Sequence, residues 1–256
     1  MTSFGRELAL LNSQFFGRFA DHFGGFVPFT LAHPAAVLPL RRALWFPGLV
    51  AGSIAPDLPY YLWTGVDGSV THALWGLPVD ALLGAILVAV AWGLRGAVQG
   101  MLGKAIGGSR PGVVAAVAAL TVGAMTHLAW DEFTHTDGIA VRHWEVLRES
   151  VIGPHRVYNV IGYVSSVGGM LLLAGYAIAW YRGARRVAQD PRRGWVSAAL
   201  IAVAAVAALY ARTDPIADVS LYDCVRHMTI YAITSAGAGF VLYALVAQVP
   251  RRRVAS

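Results

Sequence analysis

The chain has 256 residues, 57% of them hydrophobic and only 13% charged, with a formal net charge of +6. Soluble domains carry about 25% charged residues, so the composition excludes an ordinary soluble domain and reads as a multi-pass protein of the cell membrane. The fold class expected is all-α: a polytopic helical bundle of about seven apolar helices, the first short.

Residues 1–26 read as a leader. Leu8, Leu10, Leu11, Phe15, Phe16 and Phe19 recur at roughly helical spacing around Arg18 and Asp21, which suits an interfacial amphipathic helix. The alternative is an over-called start, with the natural product beginning near Val27. No cleavable signal is evident. Residues 27–250 then form one transmembrane domain, and 251–256 a basic tail.

Seven stretches of 14 residues or more lack Asp, Glu, Lys and Arg: 23–40, 43–56, 81–94, 112–130, 157–181, 194–211 and 228–250. The last four are 18 to 25 residues long, and a helix of about 20 residues crosses the hydrocarbon layer. The third reaches that length by extending back to Leu77. The first two hold Pro34, Pro39 and Pro47 and are split by Arg41 and Arg42. They read as a hairpin of two shorter helices turning at 41–47.

Orientation follows from the basic residues. Arg41 with Arg42; Arg95, Lys104 and Arg110; the cluster at 182–193; and Arg251 to Arg253 alternate with acid-rich loops. The positive-inside rule places all four groups, and the C-terminus, in the cytoplasm. The pattern is topological and gives no reason to expect nucleic acid as a partner.

Five polar side chains then fall at one depth. His33 lies eight residues before Arg41 and Asp57 ten after Pro47, so each sits roughly 12–15 Å from the turn at 1.5 Å rise per residue. His72 opens the next helix from the outer side. His127 and Asp131 end the following one there, four apart and so on one face. Ionisable groups inside a membrane point to chemistry or transport. Three imidazoles and two carboxylates would neutralise a divalent cation, and nitrogen with oxygen donors suits Zn²⁺, Mn²⁺ or Fe²⁺ better than Mg²⁺. The expected cofactor is a divalent metal ion, with zinc ahead of manganese and iron. A bound ion lowers the pKa of water to about 7, and Asp57 or Asp131 is the candidate proton acceptor.

His135, eight residues after His127, is a sixth candidate ligand or a group behind one. Asp80 lies inside an apolar run and is read as orienting a ligand imidazole, or as a helix contact. Glu132, His143, His155 and His227 read as residues of polar outer loops. The loop 131–156, with Trp144, Val146, Leu147, Val151 and Ile152, reads as an interfacial helix. The single Cys224 excludes an internal disulfide and a cysteine-based metal site.

The segment Pro28-Phe29-Thr30-Leu31-Ala32-His33-Pro34-Ala35-Ala36-Val37-Leu38-Pro39-Leu40 resembles the opening of a bacterial multi-pass membrane family known only as a domain of unknown function. The resemblance returns at 52–57, at His72 and at 126–135, and covers about residues 27–250. Two positions depart from it: Glu132 stands where a small residue is usual, and Tyr163 where His is expected. More distantly, Pro56-Asp57, the later His72, and His127 with Asp131 are similar to motifs of membrane-bound metal-dependent hydrolases and zinc-dependent phospholipase C. That similarity implies hydrolysis of phosphoesters, with lipid or lipid-linked molecules as substrates. The alternatives are a transporter or metal-ion conduit using the same ligands, and a structural membrane protein in which the polar residues join helices.

Overall fold

A computed structural model of the chain describes residues 30–62, 64–108, 110–153, 155–218 and 221–248. The leader and the basic tail read from the sequence lie outside the described residues. Two 3-10 turns, Thr30–Ala35 and Leu38–Arg42, lead into α1 (Phe46–Ile54) and a third turn, Ala55–Asp57. The single-turn helices α2 (Leu58–Tyr61) and α3 (Gly68–Thr71) follow, then α4 (Leu77–Leu102) and α5 (Val113–Thr134). Next come α6 (Ile139–His143), α7 (Glu145–Arg148) and an antiparallel pair, β1 (Ser150–Ile152) with β2 (His155–Arg156). The chain closes with α8 (Val157–Gly183), α9 (Arg193–Ala211) and α10 (Leu221–Gln248).

Among the described residues, five helices, not seven, are long and apolar enough to cross a membrane: α4, α5, α8, α9 and α10. The difference lies at 30–57. Proline has no N–H to give and pushes the preceding residue out of the α region. Pro34, Pro39, Pro47 and Pro56 therefore cut this stretch into turns and one nine-residue helix. At 1.5 Å per residue α1 rises about 13 Å, less than half of a hydrocarbon layer about 30 Å thick.

The chain divides into two compact units. In one, residues 130–153 and 155–166 are described. Its small core joins Val141, Leu147 and Tyr158 with Ala140, Val157 and Ile161, and the Trp130 indole donates to the Ser165 hydroxyl at 3.2 Å. The single interfacial helix expected over 131–156 is replaced by α6, α7 and the β1–β2 hairpin. Gly153, at φ +53°, makes the reversal between the strands, a conformation that glycine adopts without penalty. Trp144, Val146, Val151 and Ile152 are exposed, while Leu147 is buried.

The other unit comprises residues 30–129 and 167–248 of the described chain. α1 lies deep within it. A Cβ on Gly52 would stand 2.1 Å from the carbonyl oxygen of Leu120 on α5, and one on Gly123 would stand 2.3 Å from that of Leu49. The two helices therefore cross backbone to backbone. Val37, Leu49 and Ala119 form the buried centre beside this crossing. The long helices turn exposed apolar side chains outward, Leu82, Ile86 and Val90 on α4 and Ile201, Val206 and Leu209 on α9 among them. Lipid-facing surfaces have this character.

The loops that follow α4 and α8 zip together. Lys104 bridges to Arg186, the Ala105 amide donates to the Arg185 carbonyl at 2.8 Å, and the Asp190 amide donates to that of Gly100 at 2.9 Å. Two of the four basic groups thus share one end of this unit. Asp190 ties the second loop down by accepting hydrogen bonds from the Arg192 guanidinium and the Tyr243 hydroxyl. Those bonds hold its carboxyl well below the usual carboxylate range. A group lowered on folding stabilises fully above its unfolded value of about 3.9, and the contribution fades as pH falls through the folded value. Asp190→Asn is expected to lower the thermal midpoint slightly at pH 7, and the gap from wild type should close in strong acid. An unchanged midpoint at pH 7 would show that the pair does not anchor the loop.

Candidate functional site

Four of the residues singled out by the sequence meet inside the second unit, each on a different element. His33 comes from the first 3-10 turn and Asp57 ends the third. His72 caps α3, and His127 sits on α5 one turn beyond Gly123. The glycine crossing sets His127: Gly52 and Gly123 bring the main chains together, and the ring then hydrogen-bonds the Ser53 carbonyl through Nδ1 at 2.8 Å. His72 is held beside Asp57 in another way. The Thr71 hydroxyl donates to the Pro56 carbonyl at 2.7 Å, joining α3 to the turn that carries Asp57.

The group is tight and mostly buried, with His72 half-buried at its edge. His33, Asp57 and His127 are 5%, 1% and 1% exposed. The rings of His33 and His127 stack at 3.8 Å between centroids, and His72 meets His127 edge-on at 5.4 Å. Asp57 Oδ1 lies 3.3 Å from His72 Nε2 and 3.5 Å from His127 Nε2. One donor atom each from His33, Asp57 and His127 lies within 4.8 Å of the others. Donors 2.0–2.2 Å from one ion stand roughly 3–4.4 Å apart, so these residues fit a metal ion with a small contraction.

The hydrogen bonds decide what faces the centre. A carbonyl oxygen only accepts, so His127 Nδ1 must carry the proton it gives to Ser53. His72 Nδ1 likewise donates to the Gly68 carbonyl at 3.0 Å. When neutral, each ring therefore turns a bare Nε2 toward the same carboxylate oxygen. Three acceptor atoms facing one another need positive charge among them, either as extra protons on the rings or as a metal ion. Burial opposes charge on Asp57, but the imidazoles of His127 and His72 overcome it and hold the carboxyl well below the usual range.

Asp131 follows His127 by one turn on α5 and belongs to the first unit. There His135 Nδ1 hydrogen-bonds the Asp131 carbonyl at 3.2 Å and lies 3.4 Å from its carboxylate. His135 thus holds Asp131. Glu132 accepts from the Ile139 amide and fixes the start of α6. Tyr163, at the position where the resemblance leads one to expect histidine, meets His155 Nδ1 through its hydroxyl at 3.1 Å. His143 turns back onto the Ile139 carbonyl of its own helix at 2.9 Å.

His227 corrects the sequence reading. It lies inside α10, 3% exposed, with Nε2 3.3 Å from Asp214, and closes the α9–α10 turn instead of standing in a polar loop. The carbonyls of Ser53 and Gly68 were missed altogether, since any residue type supplies a carbonyl. Only the glycines at helical spacing hinted that α1 and α5 would approach so closely.

No curated protein and no solved structure matches the chain. The match is to a family model, described as Domain of unknown function (DUF4184), over residues 27–249. It covers most of the chain, and the chain belongs to that family of unknown function.

Proposed function

We propose that the protein is a membrane-embedded, metal-dependent hydrolase acting on phosphoesters of lipids or lipid-linked molecules. The observation that carries this reading is the convergence of His72 Nε2, His127 Nε2 and Asp57 Oδ1 on one buried point, with both Nδ1 atoms committed to carbonyls. His33, stacked on His127, adds a third imidazole. A divalent ion, zinc by the donor chemistry, would supply a Lewis acid and a nucleophile usable at neutral pH. The chain's own residues do the rest. The Ser53 and Gly68 carbonyls lock the two rings in the metal-binding tautomer. Asp57 contributes charge and is a proton acceptor, and Asp131 is the other carboxylate to test in that role. The phosphoester comes from the motif similarity of Pro56-Asp57, His72 and His127-x-x-x-Asp131. The basic clusters support an outer-leaflet site with the C-terminus in the cytoplasm.

The test is metal analysis of the full chain purified in detergent, with release of phosphate or alcohol from phospholipid in mixed micelles. About one equivalent of zinc is expected, and turnover should stop on chelation and return with zinc. Protein that neither carries nor binds a divalent ion would favour protonated histidines joining helices. Protein that binds zinc but turns over no phosphoester would defeat the hydrolase assignment and leave the conduit.

A further inference from the structure

Asp80 and Gly84 are the buried residues of α4, which is otherwise half-buried or exposed. They are four apart and share one face. Gly84 on that face lies against the main chain of α1, its Cβ position 3.4 Å from atoms of Ala51 and Gly52. The same helix packs on the 3-10 turn that ends in Asp57 and on α3, which presents His72.

Asp80 is 0% exposed, and neither carboxyl oxygen has a hydrogen-bond partner among the described residues. An ionised carboxylate without one costs several kcal/mol to bury, and a neutral acid leaves a hydroxyl donor unused. Within this unit the donors assigned above carry one negative charge, that of Asp57, against the two positive charges of a divalent ion.

We propose that Asp80 is a further carboxylate of the same centre, balancing the cation's charge and holding it through one water. This rests on the metal reading above. It adds a residue from a fifth element to the group, placed by the only buried face of α4.

The experiment is zinc titration of the chelator-stripped full chain in detergent, by calorimetry or against a chromogenic chelator. Wild type is compared with Asp80→Asn, Asp80→Ala and Asp131→Asn, and the thermal midpoint of each is read with and without zinc. Both Asp80 variants are expected to bind zinc about 10- to 100-fold more weakly, the range for groups that support a ligand shell. Without zinc, Asp80→Asn should melt at or above the wild-type midpoint, because a buried charge with no partner has been removed. Affinity unchanged in both Asp80 variants while wild type binds zinc would overturn the proposal alone. So would a lower midpoint of the zinc-free Asp80→Asn with no change in affinity, which marks a structural residue. Loss of affinity in Asp131→Asn but not in the Asp80 variants would give the charge-balancing role to Asp131. Absence of zinc binding by wild type would remove the metal reading itself.

Discussion

His127→Ala is expected to reduce zinc affinity by more than the roughly 10- to 100-fold seen for groups behind a ligand shell. Among the described residues no other combines its contacts. Its Nδ1 is fixed by Ser53, its Nε2 faces Asp57, and its ring carries the stacked His33 and the edge of His72. Removing it takes away one donor and the surface that positions two more. The fold should survive, weakened by roughly 2–4 kcal/mol for the cavity and the Ser53 carbonyl left without its donor. Equilibrium dialysis against zinc, with unfolding followed on the same sample, checks both halves. In wild type the affinity should fall as pH drops below about 6.5, because protons compete for the imidazole nitrogens that face the carboxylate. Retained zinc in a folded His127→Ala protein would place any metal elsewhere.

Gly52→Ala is expected to be among the most damaging small substitutions outside the centre. The added carbon would stand 2.1 Å from the Leu120 carbonyl oxygen, and that atom is main chain of a packed helix. Side-chain rotation cannot relieve such a clash, so α1 must move off α5. Overpacking costs about 1–3 kcal/mol where side chains can adjust, and the cost here should be at least about 3. Gly93→Ala on α4 is the control, since nothing lies within 4 Å of its Cβ position. It should leave stability equal or slightly higher, as alanine for glycine does in a helix. The fraction of monodisperse protein in detergent and its thermal midpoint should separate the two variants. Equal behaviour would mean that the crossing is looser than described.

The sequence showed the donors better than their supports. Positions of His33, Asp57, His72 and His127 were legible because charge and imidazole are conspicuous against an apolar background, and because spacing from the basic turn sets depth. The five long spans were legible from length and hydropathy alone. The hairpin of two shorter helices expected at the start of the domain keeps only its second helix, because Pro34 and Pro39 leave 3-10 turns where the first was read. The 131–156 connector was misread for a related reason: an amphipathic pattern survives in a chain that turns twice. His227 and Asp80 were hardest to judge. Whether a polar side chain faces solvent, lipid or a neighbour depends on helix rotation about its axis, and the weak periodicity of an all-apolar helix does not fix that rotation.

The crossing of α1 and α5 also bears on how the membrane acts on the centre. Long helices answer a thinner or thicker bilayer by tilting, and tilting slides side chains past one another. α1 is too short to span, and where it meets α5 there are no side chains at Gly52 and Gly123 to slide. Ser53 is the next residue after Gly52, and His127 is one turn after Gly123, so their hydrogen bond rides on the rigid part of the joint. The His127–Ser53 hydrogen bond is therefore expected to keep its length when the bundle leans with its lipids.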